Sequence, residues 1–180
     1  MRKIVICGDL HWRGLNPKAR LDNFLEALTA KLQEVFEIAR RIVADAIIIA
    51  GDLFHSPNMA WGTVVELALL LQSAPCPVLT IPGNHDSYGG NLESLFRTPY
   101  GLLTKLGFIW DLNKNPYLMS NPPEDIFITG HGFTADTDTE AGMVQFLSSR
   151  NEETQNTTII HVVHSMLLDR PPGFDIRHTL

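Results

Sequence analysis

Ile81-Pro82-Gly83-Asn84-His85-Asp86 closes a short apolar run, Pro77–Thr80, and places an amide, an imidazole and a carboxylate on one glycine-led loop. Two upstream stretches share this build: Asp9-Leu10-His11 follows Lys3–Cys7, and Gly51-Asp52-Leu53-Phe54-His55 follows Ala46–Ala50. Each apolar run is short and ends in a polar loop, as expected of strands buried on both faces. Between the first two runs, apolar residues from Leu21 to Val43 recur every three or four positions, with Glu26, Glu34, Glu37 and Arg40 filling the opposite face. That period predicts an amphipathic helix. Trp61–Gln72 predicts a second helix, stopped by Pro75 and Pro77. Strand, helix, strand, helix, strand is the order of a parallel sheet with right-handed crossovers. In such sheets ligands gather beyond the carboxyl ends of the strands, where all three polar loops lie.

Downstream of Asp86 the pattern changes. Leu92–Phe96 and Leu102–Leu106 predict short helices. Phe108–Leu112, Tyr117–Met119 and Ile126–Thr129 predict closely spaced strands of a second, partly antiparallel sheet. Glu140–Leu147 predicts a helix, Ser148–Asn156 a polar loop, Thr157–His164 a further strand, and Asp169–Gly173 a turn-rich loop.

A chain of 180 residues with 44% apolar and 19% charged residues suits one globular domain with a sizeable core. The net charge of −6 argues against a basic footprint over the whole surface. It leaves nucleic acid open as a substrate, because bound divalent cations would offset local carboxylates. Cys7 and Cys76 are the two cysteines, and neither suggests a disulfide framework. No stretch has the length of a signal peptide or membrane span, so a cytoplasmic, reducing setting is expected.

In Asp9-x-His11 the side chains are two apart and point the same way from extended backbone, so both can bind one cation. A carboxylate at Asp52, arriving from the neighbouring strand end, can bridge two cations. Asn84 offers a neutral oxygen and His85 an imidazole. Mixed nitrogen and oxygen donors suit Mn²⁺, Fe or Zn²⁺ better than Ca²⁺. Taken singly, Asp-x-His and Gly-Asp are weak signals, since an aspartate after a strand often only caps a loop. Their succession, in this order with Gly-Asn-His-Asp, is a strong one.

These motifs resemble those of the calcineurin-like metallophosphoesterases, in which Asp-x-His, Gly-Asp, Gly-Asn-His-(Asp/Glu), His and Gly-His-x-His follow in turn. Asp9-Leu10-His11, Gly51-Asp52 and Gly83-Asn84-His85-Asp86 match the first three. Within the superfamily, Gly51-Asp52-Leu53-Phe54-His55 and the helix leading into Ala44–Ala50 are most similar to the SbcD-type DNA repair nucleases. The resemblance implies a four-layer α/β/β/α sandwich with two mixed sheets. It also implies two divalent metal ions, Mn²⁺ preferred over Fe, Zn²⁺ or Mg²⁺. Asp9 and His11 would hold the first, Asp52 would bridge, and Asn84 would hold the second. His85 would protonate the leaving oxygen or steady the phosphate, with Asp86 holding its ring by a hydrogen bond, and His55 would lie on the substrate side. Two cations against Asp9, Asp52 and a hydroxide leave a net positive site for a phosphate ester.

The fourth motif holds His161 and His164. A ligand belongs at the strand's carboxyl end, which favours His164, and the odd spacing puts His161 on the opposite face. Arg13 and Tyr88 are the candidate substrate contacts, Arg13 for phosphate and Tyr88 either to stack on a base or to line the substrate path. No Gly-His-x-His follows His164. Gly130-His131-Gly132-Phe133 carries half of that motif but precedes His164, and His178 lacks the leading glycine, so both histidines are read as non-ligands. Residues 1–180 are therefore expected to form a single metallophosphoesterase domain without the last motif. The capping domain and the tail with which such nucleases dock an SMC-like ATPase are expected to be absent too. The expected activity is hydrolysis of DNA phosphodiesters, exonucleolytic or endonucleolytic. The alternatives are a phosphomonoesterase or cyclic-nucleotide phosphodiesterase, and an inactive scaffold or fragment with impaired metal binding.

Overall fold

The computed structural model describes residues 2–120, 125–134 and 157–165. The first sheet has the order β1 (Ile4–Cys7), β2 (Ala46–Ile49), β3 (Val78–Thr80) and β4 (Trp110–Asp111), and its pairs are all parallel. The register sets Cys7 beside Ile49 and Ile49 beside Thr80, so three strands end flush and their loops emerge at one edge. The two-residue period of a strand then separates two cores. Ile47, Ile49 and Val78 face the helices, whereas Ala46, Ile48 and Leu79 face the second sheet.

Helix α1 (Phe24–Ile42) begins where Asn23 accepts from the N–H groups of Leu25 and Glu26, a cap that stabilises a helix by about 1 kcal/mol. It ends at Val43, which adopts a left-handed conformation (φ 53°) with its side chain exposed. Leu32, Phe36 and Ala39 are its buried stripe. Helix α2 (Trp61–Gln72) buries Val64, Leu67 and Leu71 on the same face of the sheet. A 3₁₀ turn (Leu92–Arg97) and helix α3 (Pro99–Lys105) complete this layer through Leu95, Tyr100 and Leu103.

The second sheet has the order β5 (Tyr117–Met119), β6 (Asp125–His131) and β7 (Thr157–Val163), with β5 antiparallel and β7 parallel to β6. Met119, Ile128 and Val162 pack on Ala46, Ile48, Leu79, Ile81 and Leu112. Helices, first sheet and second sheet thus form successive layers. The expected Glu140–Leu147 helix, the loops 148–156 and 169–173, and His178 lie outside the described residues.

Three expectations are corrected. The segment predicted as the first strand of the second sheet, Phe108–Leu112, instead joins the first sheet in parallel beside β3. Helix α3 starts at Pro99 rather than Leu102, because Thr98 caps it by accepting from the Gly101 N–H and proline suits the first helical position. Strand β1 is not buried on both faces. It is the edge of the first sheet among the described residues, and Ile6 is 63% exposed.

Candidate metal centre

The loops after β1, β2 and β3 are tied to one another by backbone. Leu10 and His11 both donate to the Asp52 carbonyl (3.1 and 2.8 Å), and Trp12 donates to that of Leu53 (2.9 Å). Trp12 is buried and anchors its loop by donating from Nε1 to the Thr63 carbonyl at 2.9 Å. His11 (φ 46°) and Asp52 (φ 44°) both take left-handed backbone, which is uncommon outside glycine and gathers at functional loops.

These ties bring Asp9, His11, Asp52, Asn84 and His164 together. Asp52 Oδ2 lies 3.5 Å from His11 Nε2 and 3.5 Å from His164 Nε2. Its other oxygen accepts the His85 backbone N–H at 2.9 Å. Asp9 approaches His11 Nε2 at 3.9 Å and His164 Nδ1 at 3.7 Å, and Asn84 Oδ1 lies 3.0 Å from His164 Nε2. His164 Nδ1 also meets the Ala50 carbonyl at 3.0 Å. His161 is exposed on β7 and its ring hydrogen-bonds the Thr129 hydroxyl, away from this cluster.

Space here is tight enough to explain two glycines. At Gly51 (φ 97°) a Cβ would stand 2.4 Å from the His164 ring, and at Gly83 it would stand 2.0 Å from Asp52 Oδ1. The glycine heading each motif therefore makes room for the carboxylate or imidazole that another loop delivers.

A second group adjoins the first. The His11 ring meets those of His55 and His85 edge-on (centroids 5.6 and 4.8 Å), and the His55 and His85 rings stack at 5.3 Å. His55 Nε2 is 2.8 Å from Arg13 Nη1. A guanidinium only donates, so this nitrogen's lone pair is engaged by Arg13. Arg13 is steadied by the Phe24 ring, 5.0 Å from its guanidinium carbon. His85 Nδ1 meets the His55 carbonyl at 2.8 Å; a carbonyl only accepts, so Nδ1 carries the proton and Nε2 is left for chemistry.

Asp86 does not hold the His85 ring as expected. It is fully buried, and its carboxylate accepts the backbone N–H groups of Leu53 (3.1 Å), Phe54 (2.8 Å) and Gly83 (2.9 Å). Burial pushes its pKa up to about 7, against the pull of these donors. Asp86 fastens the third loop to the second, and the His55 carbonyl orients His85. Sequence reading also missed Phe133, whose ring meets His164 edge-on at 6.3 Å, and the carbonyl of Ala50, because these contacts cross loops far apart in the chain.

The donors fit divalent cations. Asp9, Asp52 and His164 offer ligand atoms within 4.8 Å of one another, and His11 Nδ1 is buried with no hydrogen-bond partner. Carboxylate, imidazole and amide oxygen together are a Mn²⁺-, Fe- or Zn²⁺-type set. Burial alone would lower the His164 pKa, but the Asp52 carboxylate, the Ala50 carbonyl and Asp9 outweigh it and raise it to about 9. Burial opposes ionisation of Asp52 as well, and His164 with the His85 N–H draws its pKa down. Without metal, His164 is therefore protonated against Asp52 at neutral pH. A cation must displace that proton, so Mn²⁺ affinity is expected to rise about tenfold per pH unit from neutrality up to about pH 9. Calorimetric titration in buffers of different ionisation enthalpy reads the released proton. Affinity that does not change with pH would show that His164 gives up no proton to the metal.

Two face-to-face sheets thus bring acids and histidines together at the carboxyl ends of the parallel strands. The chain belongs to the calcineurin-like phosphoesterase family, whose model matches residues 2–177. It is similar to the DNA double-strand break repair protein Mre11 of Aeropyrum pernix, 34% identical over 98 residues that cover 53% of this chain and 24% of that protein. It is also similar to Mre11 of Haloferax volcanii, 32% identical over 115 residues, covering 59% of this chain and 24% of that one. The matched part spans about a quarter of the length of these relatives. Among solved structures, the NAD nucleotidase of Haemophilus influenzae shares the fold at a TM-score of 0.51 and 14% identity, covering 91% of this chain and 34% of that one. Among the described residues, no helix is long and apolar enough to cross a membrane.

Proposed function

We propose that residues 1–180 form one metallophosphoesterase domain that hydrolyses DNA phosphodiesters with two divalent ions, Mn²⁺ first among them. The observation that carries this reading is the position of Asp52 Oδ2, equidistant at 3.5 Å from His11 Nε2 and His164 Nε2. It is where a carboxylate shared by two half-sites belongs. In this reading Asp9, His11 and Asp52 hold one ion, and Asp52, Asn84 and His164 the other. When bound, the ions supply Lewis acidity to the phosphoryl oxygens and make a water acidic enough to attack phosphorus. His85, as the imidazolium, gives its Nε2 proton to the departing ester oxygen and is left as the Nδ1–H tautomer. The His55 carbonyl, accepting from Nδ1–H, keeps Nε2 as the nitrogen that exchanges the proton and fixes the ring's orientation. Arg13, braced by Phe24 and His55, fixes a positive charge for a substrate phosphate, and Tyr88 lines the path of the strand. The similarity to DNA repair proteins supports DNA over small esters. Cys7 and Cys76 are both free thiols, in keeping with a cytoplasmic setting.

The test compares Mn²⁺-dependent turnover of bis-p-nitrophenyl phosphate, p-nitrophenyl phosphate and single-stranded DNA. The diester and DNA are expected to be cleaved in preference to the monoester. Turnover of the monoester alone would make the protein a phosphomonoesterase. Two-site Mn²⁺ binding without any turnover would make it a scaffold.

A further inference from the structure

The loops carrying His55 and His85 continue outward side by side and meet again three residues on. They are tied first by His85 Nδ1 on the His55 carbonyl at 2.8 Å, then by the Tyr88 hydroxyl on the Asn58 side chain. Three residues span at most about 11 Å, so Tyr88 lies within one or two nucleotides' reach of His85. Its backbone is pinned as well. The Tyr88 N–H donates to Ser94 Oγ at 2.9 Å, and the buried Ser94 hydroxyl donates to the Asn91 carbonyl at 2.6 Å. The Arg97 guanidinium lies 5.6 Å from the Tyr88 ring centroid and 5.5 Å from that of Phe96. Phe96 is 78% exposed, although its neighbour Leu95 fills the core. Two exposed rings that share one guanidinium make a ledge, and the Tyr88–Asn58 and His85–His55 ties join it to the loops of the histidine pair.

We propose that Tyr88, Arg97 and Phe96 form a subsite for an unpaired nucleotide next to the scissile phosphate, the base stacking on the rings and Arg97 taking its phosphate or π-face. The proposal rests on the nucleic-acid reading above and adds the state of the strand. Every base has a π-face, so stacking is tolerant of sequence, and an adjacent arginine strengthens it. The Tyr88 hydroxyl is already engaged by Asn58, which leaves the ring's face as its contribution to a base. In a duplex both faces of a base are covered by its neighbours, so the ledge favours a single strand or a frayed end.

Binding of labelled oligothymidine is measured by fluorescence anisotropy with Mn²⁺, in the His85→Ala background so that cutting is slow on the timescale of the measurement. Phe96→Ala is expected to weaken binding about 10-fold, the scale of one lost base stack. It should not affect an oligonucleotide of the same length that is abasic throughout. Phe96→Trp, which keeps a ring, should restore oligothymidine binding. Equal effects on both oligonucleotides, or none, would overturn the proposal. So would a change in self-association with oligonucleotide affinity unchanged, which would give the ledge to a protein contact. Bis-p-nitrophenyl phosphate is too small to reach it, and its turnover with His85 intact reports separately on the phosphodiesterase reading. Turnover retained in Phe96→Ala while oligonucleotide binding is unaffected removes the ledge alone. No turnover by the unsubstituted chain removes the parent reading.

Discussion

Replacing His85 by alanine is expected to slow DNA cleavage by about 10²–10⁴-fold, the range for losing a positioned general acid, while both Mn²⁺ sites still fill. The expectation follows from where the ring is held. Its Nδ1 is engaged by the His55 carbonyl at 2.8 Å, and its plane stacks on His55 and meets His11 edge-on. That leaves Nε2 beside the cluster but outside the set formed by Asp9, Asp52 and His164. His11, His55 and His85 also offer nitrogens within 4.8 Å of one another, so ligation by His85 is the competing role. The leaving group separates the two. DNA must expel an alkoxide, which needs a proton, whereas p-nitrophenolate leaves without one. A proton donor's loss should therefore cost far less with bis-p-nitrophenyl phosphate than with DNA. A lost ligand should cost both substrates equally and lower Mn²⁺ occupancy. Equal losses together with a missing Mn²⁺ site would move His85 into the metal set.

Much of this arrangement was legible from local pattern. Short apolar runs ending in Gly-Asp or Gly-Asn-His, separated by helical periods, suffice to place three loops at one edge of a parallel sheet, and the register of Cys7, Ile49 and Thr80 agrees. Position within a strand was legible too. His164 directly follows β7 near Asp52, and His161, three residues earlier, bonds Thr129 instead. What was not legible depends on partners far along the chain. Whether Phe108–Leu112 joins the first or second sheet is decided by Leu79 and Thr80, about thirty residues upstream, and an apolar run says nothing about which edge it finds. Arg13 owes its position to Phe24 and His55, neither of which is within ten residues of it. Asp86 misled for the opposite reason. Its neighbour His85 offered an obvious partner in sequence, but the turn closed by Asp86 N–H on the Gly83 carbonyl (3.3 Å) sends the carboxylate inward.

That inward carboxylate makes Asp86 the largest single stability determinant expected in the site. Asp86→Ala leaves the N–H groups of Leu53, Phe54 and Gly83 without their acceptor, all in a region closed to water. An orphaned buried donor costs about 1–3 kcal/mol. The three share one side chain and relax together, so a total of about 3–5 kcal/mol is expected, a large part of the ~5–15 kcal/mol that holds a domain of this kind. Asp86→Asn is no rescue, because its amide nitrogen would face N–H donors. An orienting role for Asp86 would give the reverse result. There the asparagine would keep the loop, and the loss would appear in rate. Urea unfolding of the metal-free protein decides, with the midpoint expected to fall sharply for both variants. The pH dependence has a defined sign. A carboxyl whose folded pKa is raised to about 7 contributes its stability fully below its unfolded value and loses it as pH climbs through 7. The gap between the unsubstituted protein and Asp86→Ala should therefore narrow toward alkaline pH. An unchanged midpoint with impaired turnover would return Asp86 to the service of His85.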